Sequence, residues 1–232
     1  MHQRIAPGIM RIATSKRDNA FLVAGDDGFT LVDVGWAKAP RALLDTVAAL
    51  GRKPSDIRRI VLTHAHPDHV QGAAELRRHT GAHILIHAAD RPWLEAGRVP
   101  AEGRCGALGR FIDRLPALHW QPVEADADLA DGDLVQNSDG LRIIHTPGHS
   151  PGHIVLLHEP TGTLLVGDAL FNRGKLALGP DALAADPDLR PASLRLLPRD
   201  LVTTVGFAHG SPLGEADIPA FREFVERLPR HG

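Results

Sequence analysis

The stretch Val61-Leu62-Thr63-His64-Ala65-His66-Pro67-Asp68-His69 limits what this chain can fold into more than any other. It sets three histidines and one aspartate within six residues, directly after the apolar run that begins at Ile57. Imidazole and carboxylate together are the ligand set that suits zinc and related divalent ions. Pro67 removes a backbone donor and biases His66 away from helix. The four side chains are therefore expected on a loop at a strand's end, able to turn toward one point. Without a cation, so many polar groups taken out of water would be costly. Four ligands already suffice to close one site, so further ligands downstream decide between a structural metal and a catalytic one.

The 232 residues leave room for one domain with a large core, or at most two small ones. A hydrophobic fraction of 43% and a net charge of −2 describe an ordinary globular chain. They give no electrostatic case for nucleic acid or an anionic membrane as partner. The single cysteine, Cys105, excludes an internal disulfide framework, fits a reducing compartment and is expected to be a small buried residue. Charges run through residues 1–20, so no signal peptide is expected, and no window approaches the roughly 18 apolar residues of a membrane span. The expectation is a cytoplasmic protein, monomer or homodimer, acting on a small molecule. Tyrosine is absent, which removes any phenolic acid from its chemistry.

Short strands are predicted over Ile9–Thr14, Ala20–Ala24 and Thr30–Val34, with Gly25-Asp26-Asp27-Gly28 as a hairpin turn. Leu43, Leu44, Val47 and Leu50 recur at helical spacing over Ala39–Leu50, closed by Gly51. Ile57–Thr63 and Ile84–His87 read as strands and Gln71–Thr80 as a helix between them. The segment 88–121 is irregular and long, so it is expected to form helical pieces of a cap, with Phe111, Leu115 and Leu118 on one stripe. Strands follow at Leu134–Gln136, Leu141–His145, Ile154–Glu159, Gly162–Val166 and Val202–Phe207, and helices at Asp188–Leu197 and Ile218–Arg227. Two rounds of strands and helices suggest two sheets packed face to face with helices outside both.

Three later strand ends also carry metal-capable residues. His145-Thr146-Pro147-Gly148-His149-Ser150-Pro151-Gly152-His153 forces an irregular backbone, Gly167-Asp168 closes an apolar strand, and Phe207-Ala208-His209-Gly210 repeats the pattern. With these residues the chain resembles a metallo-β-lactamase-fold hydrolase, of the glyoxalase II-like or lactonase-like branch, from about Ile9 to its end. The resemblance implies an α/β fold (α+β by some schemes), a four-layer αββα sandwich of two mixed β-sheets flanked by helices, as one domain over 1–232 with 88–121 as a cap inserted in it. It implies that His64, His66 and His149 hold one divalent ion and that Asp68, His69 and His209 hold another. Asp168 would bridge the two ions, most simply zinc, with iron or manganese as alternatives. His153 matches a histidine that supports ligands without binding metal, and His145 is assigned to packing.

Two ions leave an open position where a bridging water loses a proton near neutral pH, its pKa falling from 15.7 toward ~7. The expected reaction is attack of that hydroxide on an ester-type carbonyl of a thioester, lactone or ester, with Asp68 as the catalytic residue that orients it. Substrate contacts are expected from Trp93, Phe111 and Trp120 as an apolar wall and from Phe171, Asn172, Arg173 and Lys175, with Arg98 and Arg104 as further partners for a carboxylate. Asp168 stands where β-lactamases of this fold carry Cys or Ser. The tyrosines of glyoxalase II and of the lactonases are missing, and no counterpart of the C-terminal helical domain of full-length glyoxalase II is expected. A basic tRNA-binding arm is not seen, which disfavours a phosphodiesterase of the ribonuclease Z type. The alternative is a mononuclear iron enzyme similar to persulfide dioxygenase, held by residues equivalent to His64, His149 and Asp168. A non-catalytic module is the remaining class, against which the full ligand set argues.

Overall fold

Strands whose side chains alternate between two apolar environments make up most of the framework. The computed structural model describes residues 2–229. In chain order its strands are β1 (His2–Ala6), β2 (Ile9–Ala13), β3 (Asn19–Gly25), β4 (Gly28–Val32), β5 (Ile57–Leu62), β6 (His83–His87), β7 (Ala127–Leu129), β8 (Leu141–His145), β9 (Ile154–His158), β10 (Thr163–Leu165), β11 (Phe171–Asn172), β12 (Leu176–Ala177) and β13 (Thr204–Gly206). Its helices are α1 (Ala39–Ala49), α2 (Pro67–Val70), α3 (Ala73–Thr80), α4 (Arg91–Ala96), α5 (Ala107–Ile112), α6 (Leu189–Arg195) and α7 (Ile218–Glu226).

A seven-stranded sheet runs in the order β1 to β7, and a four-stranded sheet in the order β13-β10-β9-β8. Both are mixed. Pairing is antiparallel from β1 to β4 and parallel from β4 to β7. In the second sheet β8, β9 and β10 are antiparallel, and β10 pairs parallel with β13. The period of two sorts the side chains into three apolar layers. Leu22, Leu31, Ile60 and Leu62 meet Leu43 and Val47 of α1 and Leu76 of α3. Phe21, Val23, Val32 and Val61 face Ile143, Ile154 and Leu156 between the sheets. Val155, Leu157 and Leu164 turn outward onto Leu194 of α6 and Phe221 and Val225 of α7. This is the expected four-layer αββα arrangement.

Phe221 anchors the outer layer and is fully buried. Replacing it with alanine removes a large apolar side chain and leaves a void in a close-packed layer. Phe221→Ala is expected to cost about 3–5 kcal/mol in urea unfolding. A loss below about 1 kcal/mol would mean that α7 does not hold the second sheet.

Several local expectations are corrected. His2–Ala6 pairs with β2 and adds an unforeseen edge strand. Residues 134–136 form no strand: Leu134 makes an isolated bridge to Arg142. The strand beside β6 is Ala127–Leu129 instead. Its polar look has a cause, because the neighbouring Asp126 pairs with Arg77 and Asp128 with Arg91 on the outside. Pro67 does not keep its stretch out of helix but starts α2 at the first helical position, where a missing N–H costs nothing. The segment 88–121 contains α4 and α5, but Phe111 lies 63% exposed rather than on a packed stripe. Cys105 is exposed, not buried. No helix of the described residues is long and apolar enough to cross a membrane.

Candidate metal centre

The parallel pairs β4–β5 and β10–β13 point their carboxyl ends to one edge of the sandwich. Residues 63–69 leave β5 there, Asp168 follows β10, and His209 follows β13. His149 comes from the loop joining β8 to β9. The turn before Asp168 requires glycine: Gly167 has φ +49°, and a Cβ there would lie 2.7 Å from His153 Nε2 and 3.0 Å from Thr63 Cβ.

The seven side chains collect in two groups. His64, His66 and His149 offer ligand atoms within 4.8 Å of one another, and so do Asp68, His69, Asp168 and His209. Asp168 touches both. Its Oδ2 is 3.3 Å from His149 Nε2, while its Oδ1 is 3.2 Å from His69 Nε2 and 3.0 Å from His209 Nε2. Asp68 Oδ2 completes the second group, 3.4 Å from His209 Nε2. All but Asp68 are buried, and its side chain keeps 25% exposure.

Ring orientation is set from behind by residues to which the sequence reading gave no role. Asp33, buried at φ +61°, accepts from Thr63 N at 2.8 Å and from Thr63 Oγ1 at 2.9 Å, and its Oδ2 is 2.8 Å from His69 Nδ1. Thr63 Oγ1 in turn lies 3.0 Å from His64 Nδ1. Donation of that N–H to the hydroxyl leaves the His64 Nε2 lone pair facing the cluster. Asp18 Oδ1 does the same for His209 Nδ1 at 3.0 Å. The Arg173 guanidinium is also 3.1 Å from this Nδ1. A nitrogen that donates to Asp18 cannot accept, so Arg173 lies alongside it. Asp90 ties the two ligand loops together, accepting from Ala65 N, Ser150 Oγ and Gly152 N at 2.6–2.9 Å. Burial raises the Asp90 carboxyl above its ordinary range despite those bonds.

His153 and His145 stand apart from the cluster. His153 Nε2 accepts the Asp168 backbone N–H at 2.9 Å, and its Nδ1 lies 2.8 Å from Thr146 Oγ1. Burial pulls it down to about 3, so it is a neutral acceptor at neutral pH. His145 stacks on His87 with ring centroids 4.0 Å apart.

The donor set fits a pair of divalent cations. His64 Nε2, His66 Nε2 and His149 Nδ1 are buried without a hydrogen-bond partner among the described residues, and Asp168 Oδ1 meets only the His69 and His209 rings of the same cluster. Such groups cost stability unless something binds them. Burial drives His64, His66 and His149 well below the ordinary imidazole range, so their lone pairs are available. At His69 and His209 burial acts in the same direction, but the surrounding carboxylates outweigh it and raise both rings. Burial would likewise raise Asp168, yet His209, His69 and His149 hold it well below the usual carboxylate range. A divalent cation bound by His69 and His209 would take the place of a proton on each ring.

Comparison with known proteins agrees with this geometry. The family model for the metallo-beta-lactamase superfamily matches residues 16–209. The chain belongs to the metallo-beta-lactamase superfamily. Within it, the chain is 28% identical to a probable metallo-hydrolase, YqjP, of Bacillus subtilis, over 90% of this chain and 72% of that protein. It is 35% identical to a hydroxyacylglutathione hydrolase of Cereibacter sphaeroides over 67% of this chain, and that match spans about half, 49%, of the relative. Among solved structures, the metallo-beta-lactamase MIM-1 of Novosphingobium pentaromativorans superposes with a TM-score of 0.71 at 25% identity, covering 98% of this chain and 89% of that one.

Superfamily membership does not settle what surrounds the clusters. A cavity of about 130 Å³ opens beside them, lined by His66, Asp68, His149, Asp168 and His209 together with Arg104, Phe171, Arg173, Pro180, Leu183 and Arg190. Of the expected substrate contacts, Phe171 and Arg173 are placed here, with Phe171 stacked on His209 at 5.0 Å between centroids and Arg173 over the Phe171 ring at 5.7 Å. Arg104, from segment 88–121, reaches within 3.4 Å of His66 Nδ1. The others lie elsewhere. Trp93 and Trp120 are buried in the core beneath the seven-stranded sheet, where Trp93 backs His66 at 6.0 Å, and Phe111 faces outward. Asn172 donates to the Ser211 carbonyl, and Lys175 is exposed away from the cavity. Arg190 was not anticipated.

Proposed function

We propose that this chain is a dinuclear metal-dependent hydrolase of ester-type carbonyls, acting on a thioester, lactone or ester. The observation that carries the reading is Asp168, whose two carboxylate oxygens face two separate groups of ligands. His64, His66 and His149 would hold one ion, Asp68, His69 and His209 the other, with Asp168 between them and zinc the expected metal. When bound, such a pair supplies Lewis-acid activation of water and of the substrate carbonyl. The chain's own residues do the rest. Asp33, Thr63 and Asp18 fix the ring faces. Asp68, the one partly exposed member of the set, would orient the attacking oxygen and carry its proton toward the leaving group. Residues 88–121 act as the cap and supply Arg104 to the cavity wall. Among the relatives, hydroxyacylglutathione hydrolase is named for hydrolysis of an acylated glutathione, which supports including thioesters.

The test is a hydrolysis panel run with metal quantification, covering a glutathione thioester, γ- and δ-lactones, simple esters, a phosphodiester and a cephalosporin. About two divalent ions per chain are expected, with turnover of at least one acyl substrate that chelation abolishes and zinc restores. Full activity in metal-free protein would sink the mechanism. One iron per chain with oxygen uptake on glutathione persulfide would replace it with the dioxygenase alternative.

A further inference from the structure

Arg190 of α6 is only 3% exposed, yet its Nε and Nη2 have no hydrogen-bond partner among the described residues. Its Nη1 alone is engaged, 3.5 Å from the Gly179 carbonyl and 3.6 Å from Oδ1 of Asp181, an otherwise exposed side chain. The other buried guanidinium of the cavity is already satisfied: Arg104 donates to Asp113 from Nε at 2.8 Å and from Nη2 at 3.3 Å, and from Nη1 to the Leu183 carbonyl. Arg173 is exposed. Among the described residues, Arg190 is therefore the buried guanidinium of this cavity whose Nε–Nη2 edge has no partner. Nε and Nη2 form the edge of a guanidinium that matches the two oxygens of a carboxylate.

Its placement ties that edge to the metal centre. Gly148 has φ +131°, and a Cβ there would lie 2.7 Å from Arg190 Cγ, so the arginine stem packs directly under the loop that carries His149. Arg190 lines the same cavity as His149, Asp68 and Asp168, and that cavity holds only about 130 Å³. That volume is well below the roughly 300–1,000 Å³ that enclose a whole small-molecule ligand, so the cavity takes the acyl end of a substrate.

We propose that Arg190 binds a carboxylate carried by the substrate a few bonds from the scissile carbonyl, so that the preferred substrates are short acidic acyl esters or thioesters, such as half-esters of succinic or glutaric acid. This deepens the hydrolase reading and names Arg190 as its specificity residue.

The test compares zinc-loaded wild type with Arg190→Gln and Arg190→Lys on matched pairs, 4-nitrophenyl hemiglutarate against 4-nitrophenyl pentanoate and the corresponding thioesters. Wild type is expected to favour the acid by at least about 10-fold in kcat/KM, and Arg190→Gln to lose most of that ratio through KM. Arg190→Lys keeps the charge without the fork and falls between them. Metal content and melting temperature show that the variants are folded. Calorimetry with glutarate gives a readout that does not need turnover, with binding at least about 10-fold weaker in Arg190→Gln than in wild type. An acid-to-neutral ratio unchanged by Arg190→Gln, or equal glutarate binding by the two proteins, overturns the assignment. Glutarate binding that depends on Arg190 with no hydrolysis of any ester or thioester leaves the assignment standing and overturns the hydrolase reading instead.

Discussion

Asp168→Ala is expected to lower hydrolysis by at least about 10³-fold and to reduce bound metal from about two ions per chain to one or fewer. The size of the effect follows from position. Asp168 is the one side chain that faces both groups of ligands, at 3.3 Å from His149 and 3.0 Å from His209. Alanine removes an anion that offsets two cations and leaves His69 and His209 facing each other across a gap. The fold should survive, because the Asp168 backbone N–H, not its side chain, makes the bond to His153. Elemental analysis, circular dichroism and kcat/KM on the best substrate of the panel measure the three consequences separately. A variant that holds two metals and works within about 10-fold of the parent would remove Asp168 from the bridging role. A variant that is unfolded would show instead that the carboxylate is needed to neutralise buried charge before any chemistry.

The contrast between what sequence made legible and what it hid lies in local against distant pairing. His64, His66, Asp68 and His69 announced themselves because they crowd one strand end, and His149, Asp168 and His209 because each follows an apolar strand with a glycine beside it. The layers were legible for the same reason, since alternation along β3, β5 and β9 is a short-range pattern. Asp18, Asp33 and Asp90 are different. Each is a lone carboxylate whose partner lies distant in the chain, at His209, at Thr63 and His69, and at Ser150. Only the positive φ of Asp33 marks it out, and that is not visible in a residue string. Arg190 is hidden in another way, as one arginine on an expected helix, its burial set by close approach to Gly148. The aromatic residues misled because Trp93 and Trp120 pack into the core, which is the commoner fate of large apolar side chains. Ala127–Leu129 was missed because it is short and carries Asp128 at its centre, with Asp126 just before it, both carboxylates held by arginines on the outside of the sheet.

Asp33 offers the second large effect, and it separates stability from metal binding. Its carboxylate accepts from the Thr63 backbone N–H and hydroxyl and from His69 Nδ1, all buried. In Asp33→Ala the Thr63 N–H loses its partner in a dry site, at about 1–3 kcal/mol. Alanine must also hold φ +61°, where Asp and Asn are tolerated and a plain Cβ costs about 1–2 kcal/mol. Together these predict a loss of about 2–5 kcal/mol for Asp33→Ala in denaturant unfolding. Asp33→Asn keeps the backbone conformation and an acceptor for Thr63, so its loss should stay near 1 kcal/mol. What Asn cannot keep is the negative charge behind His69. Zinc affinity of the Asp68, His69 and His209 group should then fall about 10- to 100-fold in Asp33→Asn, measured by competition with a chromogenic chelator. In Asp33→Ala both losses should appear in one protein. If Asp33→Asn binds its second zinc as tightly as the parent, Asp33 is a structural acceptor for Thr63 alone, and the orientation of His69 must come from its packing between His64 and His209.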